Sequence, residues 1–301
     1  GLIKAIDAKM KKVKGNTKTG RTHLMDAMPI DFAQELSGWK AQLESAKKTL
    51  IAATSRMNEL PQGGTAIGTG INTHKDFSKN FCAEVNKISK LKTKPAKNFF
   101  QGLSSVDNAA ELSSALKNLS TILMKISNDL RWMNSGPLTG LGEIELEALQ
   151  PGSSIMPGKV NPVVPEAVAM ACADVIGNDV SITIASQSGN FQLNVMLPLV
   201  AYNLLKSINL LGNAMPLLSN KAIKTFKVNK KNINESLSKN PILVTALNRK
   251  IGYGKAALIA KKAYKENKAI IDVASEETGI SKAELKKLLD PSKLTKGGLS
   301  G

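Results

Sequence analysis

The 301 residues carry 41 Lys and Arg against 24 Asp and Glu, a formal charge of +17, and 42% of them are apolar with only 4% aromatic. That apolar share excludes wholesale disorder and permits a sizeable core. Its weight in Ala, Leu, Ile and Val rather than in aromatic side chains favours packed helices over a sandwich or barrel.

The surplus charge invites a nucleic-acid reading. Only Arg21, Arg56, Arg131 and Arg249 are arginines, however, and the lysines are scattered without aromatic interleaving. A solvated lysine-rich surface is expected, with no nucleic-acid partner. Cys82 and Cys172 lie far apart and match neither a disulfide framework nor a metal-ligand spacing, so they read as core fillers in a reducing, cytoplasmic protein. The longest apolar stretch, residues 197–218, is interrupted by Asn203, Lys206 and Asn209, so it reads as a buried helix, and no membrane association is expected.

Taken in chain order, residues 1–14 look like the tail of a helix already under way, and the N-terminal part of a longer protein is expected to be missing. The segment TGRTHLMDA at 19–27 is tight and polar. His23 within it offers a group that exchanges protons near neutral pH, whereas His74, the second histidine, resembles an exposed helix start. Residues 31–57 predict a helix, with Phe32, Leu36, Trp39, Leu43 and Leu50 at helical spacing. A Gly-rich break, ELPQGGTAIGTGIN, follows at 59–72. Helical pattern resumes at 75–91, stops near Pro95, and returns at 104–134 with Leu112, Leu116, Leu119, Ile122, Leu123 and Ile126 on one face.

The second break, residues 135–162, is long and rich in Gly and Pro, and long loops in compact helical proteins tend to be functional. Its second half, PGSSIMPGKVNP, holds Gly152 and Gly158, the hydroxyls of Ser153 and Ser154, the cation of Lys159 and the amide of Asn161. A predicted helix begins directly after it, so these are the parts of an anion site. Helices are expected at 163–180 and 193–218. A charged stretch at 221–235 suggests a boundary before a small helical tail. Within that tail Ser281 and Glu284 form a capping box that opens the last helix, and Asp290-Pro291 ends that helix. No zinc cluster, GxGxxG turn, Walker loop or serine nucleophile elbow is present. The fold predicted is all-α, with wide apolar stripes that a homo-oligomeric bundle would bury.

GSSIMPGKVNP strongly resembles the signature of the fumarase/aspartase superfamily. GRTHLMDA at 20–27 and GGTAIGTGIN at 63–72 resemble two further blocks in the family's order, and the match continues through SGNFQLN and LVTALNRKIGYGKAA. Gly158 before the signature lysine, SGNFQLN and ALNRKIGYGKAA are similar to class II fumarases rather than aspartases. VVPEAV at 163–168 is closer to the aspartase wording, and Leu138 stands where many fumarases have Arg.

The resemblance implies a reversible elimination of water from malate to give fumarate, with Ser153 as the base that removes the proton from carbon 3. It gives Thr22, Ser154, Lys159 and Asn161 substrate-binding roles, makes His23 the group that assists the departing hydroxyl, and pairs Glu166 with that histidine. It implies no metal or organic cofactor, a small dicarboxylate substrate, and a homotetramer whose active sites are shared between subunits. It also implies a central helix bundle at 1–228, lacking its first helix and the preceding N-terminal domain, and a small helical domain at 229–301. The absent part would carry two further substrate loops. The alternatives are aspartase or another lyase of the superfamily, and a non-catalytic truncated scaffold.

Overall fold

The computed structural model describes residues 1–298; Leu299–Gly301, at the end of the predicted tail, lie outside the described residues. Thirteen α-helices among the described residues carry the fold, interrupted by three small two-stranded sheets. The chain forms two compact units, one of Ala41–Asn128 and Val163–Leu218 with Gly1, the other of Leu2–Lys40, Asp129–Pro162 and the chain from Ser219 onward.

The first unit is helical. It contains most of α2 (Phe32–Arg56), α3 (Phe77–Ser89), α4 (Phe99–Ser104) and most of α5 (Asp107–Met133), followed by α6 (Val163–Ser186) and α7 (Leu197–Leu218). The predicted stripe of α5 is its buried face except at Ile122, which is half-buried, with Leu119, Leu123 and Ile126 all but inaccessible. Helices α6 and α7 pack as an antiparallel hairpin: Lys206 Nζ donates to Asp174 Oδ1 at 2.9 Å, and Asn178 donates to Ser207 Oγ at 3.2 Å. The α5 side of α6 is polar at one point, where Ser113 Oγ and Lys117 Nζ donate to the buried Asp179 at 2.7 and 2.6 Å. A carboxylate so placed is retained because its charge is paired and its second oxygen is hydrogen-bonded.

Helix α6 is long and apolar enough to cross a membrane by length and composition, with a mean hydropathy of 1.4. It shows Met170, Val180 and Ile184 to solvent, and α7 shows Tyr202, Leu205 and Ile208. Exposed apolar faces of this extent on paired helices are unusual for a lone chain.

The second unit begins with α1 (Leu2–Val13). Here Lys9, nearly buried, donates to the Phe226 carbonyl at 2.7 Å and lies 4.2 Å from the Phe226 ring centre. Next comes an antiparallel hairpin of β1 (Thr17–Thr22) and β2 (Met25–Asp31). The sequence shows no alternation of apolar and polar residues here, and the two-residue turn lacks the Asn-Gly or Asp-Gly dipeptide that marks most such hairpins, so the strands were not legible.

Two small ladders were also unforeseen: β3 (Glu59–Leu60) with β4 (Lys94–Pro95), in the first unit, and β5 (Ile144–Glu145) with β6 (Lys227–Val228), in the second. The C-terminal segment folds as α8 (Lys230–Lys239), a 3-10 stretch at Pro241–Leu247, and five short helices: α9 (Asn248–Ile251), α10 (Tyr253–Glu266), α11 (Ile270–Thr278), α12 (Lys282–Leu288) and α13 (Pro291–Leu294). Leu237, Leu247, Ile259, Val273 and Leu285 lie in its core. The predicted cap is present: Ser281 accepts from the Glu284 amide. Contrary to expectation α12 is not the last helix: it ends at Leu288, and Asp290-Pro291 opens α13, with Asp290 accepting from the Ser292 amide.

Both cysteines are buried, free thiols, and burial pushes the Cys172 thiol up to about 11. A thiol held so far above neutrality and out of solvent forms little thiolate. In the native protein at pH 8 a small disulfide reagent should modify neither Cys82 nor Cys172 within minutes, and both should react once the chain is unfolded in guanidinium. Rapid native labelling of Cys172 would contradict this packing.

Candidate functional site

The signature loop is closed by its own backbone. The Gly152 amide donates to the Lys159 carbonyl at 2.8 Å, and the Asn161 side-chain amide donates to the Gly152 carbonyl at 2.8 Å. Gly152 is obligatory at this crossing, because a Cβ there would sit 2.4 Å from the Lys159 oxygen, far inside any real contact. Gly158 has φ +79°, a left-handed conformation that glycine adopts without a steric penalty.

Inside the closed loop the chain turns tightly after Ser153, and its hydroxyl oxygen accepts from the amides of Ile155 and Met156 at 3.2 and 3.1 Å. Two donors converging on one hydroxyl oxygen favour charge on that oxygen. Charged acceptors gain roughly 1.5–3 kcal/mol per such bond. Lys159 lies six residues on, exposed at the loop's rim; Ser154 is exposed, while Ser153 and Asn161 are half-buried. The loop therefore brings Ser153, Lys159 and Asn161 into one hydrogen-bonded turn. Glu166 lies in the first turn of α6, half-buried, and its carboxylate makes no hydrogen bond or ion pair among the described residues.

Thr22 and His23 stand at the tip of the β1–β2 hairpin. His23 and Leu24 form its two-residue turn, with φ of +54° and +63°. Left-handed backbone at two consecutive non-glycine residues costs roughly 1–2 kcal/mol apiece, and such strain collects at functional sites. The tip is fully in solvent, from Thr22 through Asp26. Among the described residues, no hydrogen bond or ion pair joins Thr22 or His23 to the Ser153 loop. His74 is exposed, and its ring nitrogen accepts from the Asp76 amide at the start of α3.

Sequence reasoning missed a buried charge cluster. Glu143 is 1% exposed and pairs with Arg21 and Lys18, and Lys18 also reaches Glu35. The signal was available only as ordinary-looking single charges, because the partners lie up to 125 residues apart and no spacing rule links them.

A cleft of about 490 Å³ lies elsewhere, between Arg56, Leu60, Lys97, Asp107, Val200 and Leu204. It contains none of the predicted site residues. Its lining mixes apolar side chains with Arg56, Lys97 and Gln101.

A family model described as Lyase matches residues 1–177, and one described as Fumarase C C-terminus matches residues 243–296. Fumarate hydratase class II 2 of Pseudomonas aeruginosa is 58% identical over 298 residues, which is 99% of this chain and 65% of that protein. Fumarate hydratase class II of Xylella fastidiosa is 55% identical over 99% of this chain and 63% of its own length. Among solved structures, recombinant class II fumarase from Schistosoma mansoni superposes with a TM-score of 0.95 at 34% identity, covering 98% of this chain and 65% of that one. The chain thus spans slightly less than two thirds of the relatives it matches. With more than half of its residues matched by the Lyase model, and with relatives that are class II fumarate hydratases, the chain belongs to the lyase family.

Proposed function

We propose that this chain carries the catalytic loops of a fumarate hydratase, which interconverts (S)-malate and fumarate by anti elimination of water. The observation that supports this most strongly is the hydroxyl oxygen of Ser153, held under the Ile155 and Met156 amides in a loop closed onto Lys159. The names of the relatives point the same way.

The reaction removes a weakly acidic proton next to a carboxylate. Ser153, as the alkoxide, takes that proton from carbon 3 of malate, and the electron pair moves into the adjoining carboxylate to give an aci-carboxylate. Lys159 binds the growing charge. Asn161 uses one amide N–H on Gly152, which leaves the second for the substrate. The start of α6 follows directly in the chain, and its first-turn N–H groups favour an anion. Collapse of the aci-carboxylate forms the double bond between carbons 2 and 3 and breaks the carbon 2–oxygen bond. The hydroxyl leaves as water, with its proton supplied through water from His23. Thr22 and Ser154 hold the substrate, and Glu166 fixes the histidine. The steps are proton transfer, carbon–oxygen cleavage and charge stabilisation, and the scheme calls on no metal or organic cofactor.

The same reading includes a cytoplasmic homotetramer with active sites shared between subunits. The bare hairpin tip and the exposed apolar faces of α6 and α7 support it, since a partner would both cover the faces and complete the site. Two domains, 1–228 and 229–301, also belong to this reading.

The test is ultraviolet absorbance of fumarate with malate as substrate. It uses this chain and the same chain joined to the N-terminal segment of a class II relative. Ser153→Ala should lower turnover by at least about 10³-fold. Gly152→Ala, which obstructs the loop closure, should cost about 100-fold with helix content unchanged. A folded, assembled fusion that is silent with malate would overturn the proposal, and ammonia release from aspartate would direct it to the sister reaction.

A further inference from the structure

The hairpin tip that carries Thr22 and His23 is strained and exposed, and among the described residues it makes no side-chain hydrogen bond outside the hairpin. What holds it must lie at its base. There the Arg21 guanidinium donates to Glu143 Oε1 at 2.5 Å, one residue before Thr22. Lys18 Nζ lies 2.5 Å from Glu143 Oε2 as an ion pair, though not aligned as a hydrogen bond, and donates to Glu35 at 2.9 Å. Two cations face two carboxylates, so the cluster is neutral, and Lys18 and Glu143 are 3% and 1% exposed.

Glu143 is itself fixed from both sides. Its amide donates to the Met133 carbonyl at the end of α5 at 2.7 Å, and its carbonyl accepts from the Asn229 amide at 2.8 Å. It immediately precedes β5, and the chain reaches Ser153 ten residues later. On the hairpin's other strand, buried Asn240 donates to the Ala27 carbonyl at 2.8 Å, beside the bulge where the register shifts between Thr19 and Arg21. Gly20 has no room for a side chain there, because a Cβ would meet the Met28 carbonyl oxygen at 2.5 Å. The base of the hairpin is thus clamped, and only the tip is free.

We propose that Glu143, acting through Arg21 and Lys18, is a positioning residue. It sets the height and angle at which Thr22 and His23 are presented, and it ties that tip to the segment leading into the Ser153 loop. The role of the tip in turnover rests on the fumarate hydratase reading; the clamp on the tip's geometry does not. A purely structural ion cluster would be replaceable by apolar side chains of matched size. A positioning cluster would not, because the planar guanidinium of Arg21, donating to both Glu143 and the Thr19 carbonyl, and the fixed carboxylate define a direction as well as a packing volume.

The experiment compares Glu143→Gln, Arg21→Lys and the double variant Arg21→Met/Glu143→Leu with the parent, in the full chain. Backbone ¹⁵N relaxation reads the order of the His23 and Leu24 amides. His74, the second histidine, remote in sequence and making its own local bond to Asp76, is the internal control. Melting temperature is measured on the same samples, and malate turnover on each variant joined to the N-terminal segment of a class II relative.

The expected result is a selective fall of the tip order parameters, from a rigid value to below about 0.6, with His74 and the helices unchanged. Turnover should fall about 100-fold. The double variant should recover the melting temperature but neither tip order nor turnover. A double variant with an ordered tip and parental turnover would show the cluster to be structural only and overturn the proposal. If Glu143→Gln does not fold, Arg21→Lys, which keeps the charge and loses the planar guanidinium, decides the same question. A parent silent with malate whose tip nonetheless loosens in the variants would sink the fumarate hydratase reading and leave the clamp standing.

Discussion

The hydrogen bond from the Gly152 amide to the Lys159 carbonyl is the constraint on which the candidate chemistry depends. It forces a run of residues rich in Gly, Pro and Ser into a closed turn, and only inside that turn do two backbone amides meet at the Ser153 oxygen. The donors belong to the peptide chain, so they cannot rotate away and need no side-chain ordering when charge develops. The Asn161 amide repeats the closure from the other end of the turn. A residue with any side chain at position 152 would open the ring, which explains why so short a motif can hold a demanding geometry.

Electrostatics in this chain operate in two separate regimes. Most of the 41 basic residues are solvated lysines whose pairs, such as Lys239 with Glu235 or Lys262 with Glu277, lie at the surface, where screening leaves them worth little. The cluster of Lys18, Arg21, Glu35 and Glu143 lies in the second unit's interior. There, loss of one partner leaves a buried charge uncompensated. Net charge alone therefore says little about function. The four charges that shape the hairpin sum to zero.

The long helices were legible because burial repeats along them: Phe32, Leu36, Trp39 and Leu43 on α2, and Leu112, Leu116, Leu119 and Leu123 on α5, all face inward. The signature loop was legible for a different reason. Its residue types each answer a specific demand of anion binding, and the resemblance to a known family rested on those residues. What could not be read was the hairpin and its clamp. The hairpin turn uses His23 and Leu24 where local chemistry would favour Asn and Gly, so no turn signal exists. The Arg21–Glu143 and Asn240–Ala27 bonds span more than a hundred residues, beyond any local pattern. Likewise, nothing local distinguishes Glu143 from the twenty-three other acidic residues.

The central claim is that Ser153, held by the loop amides, removes a proton from carbon 3 of malate. Proton NMR of malate formed from fumarate in D₂O tests this most directly, using the chain joined to the N-terminal segment of a class II relative and the Ser153→Ala variant of that fusion. The account predicts deuterium at one carbon 3 position only, in a single diastereomer, and no incorporation by the variant above the uncatalysed background. Deuterium entering malate at the parental rate in the Ser153→Ala protein would contradict it.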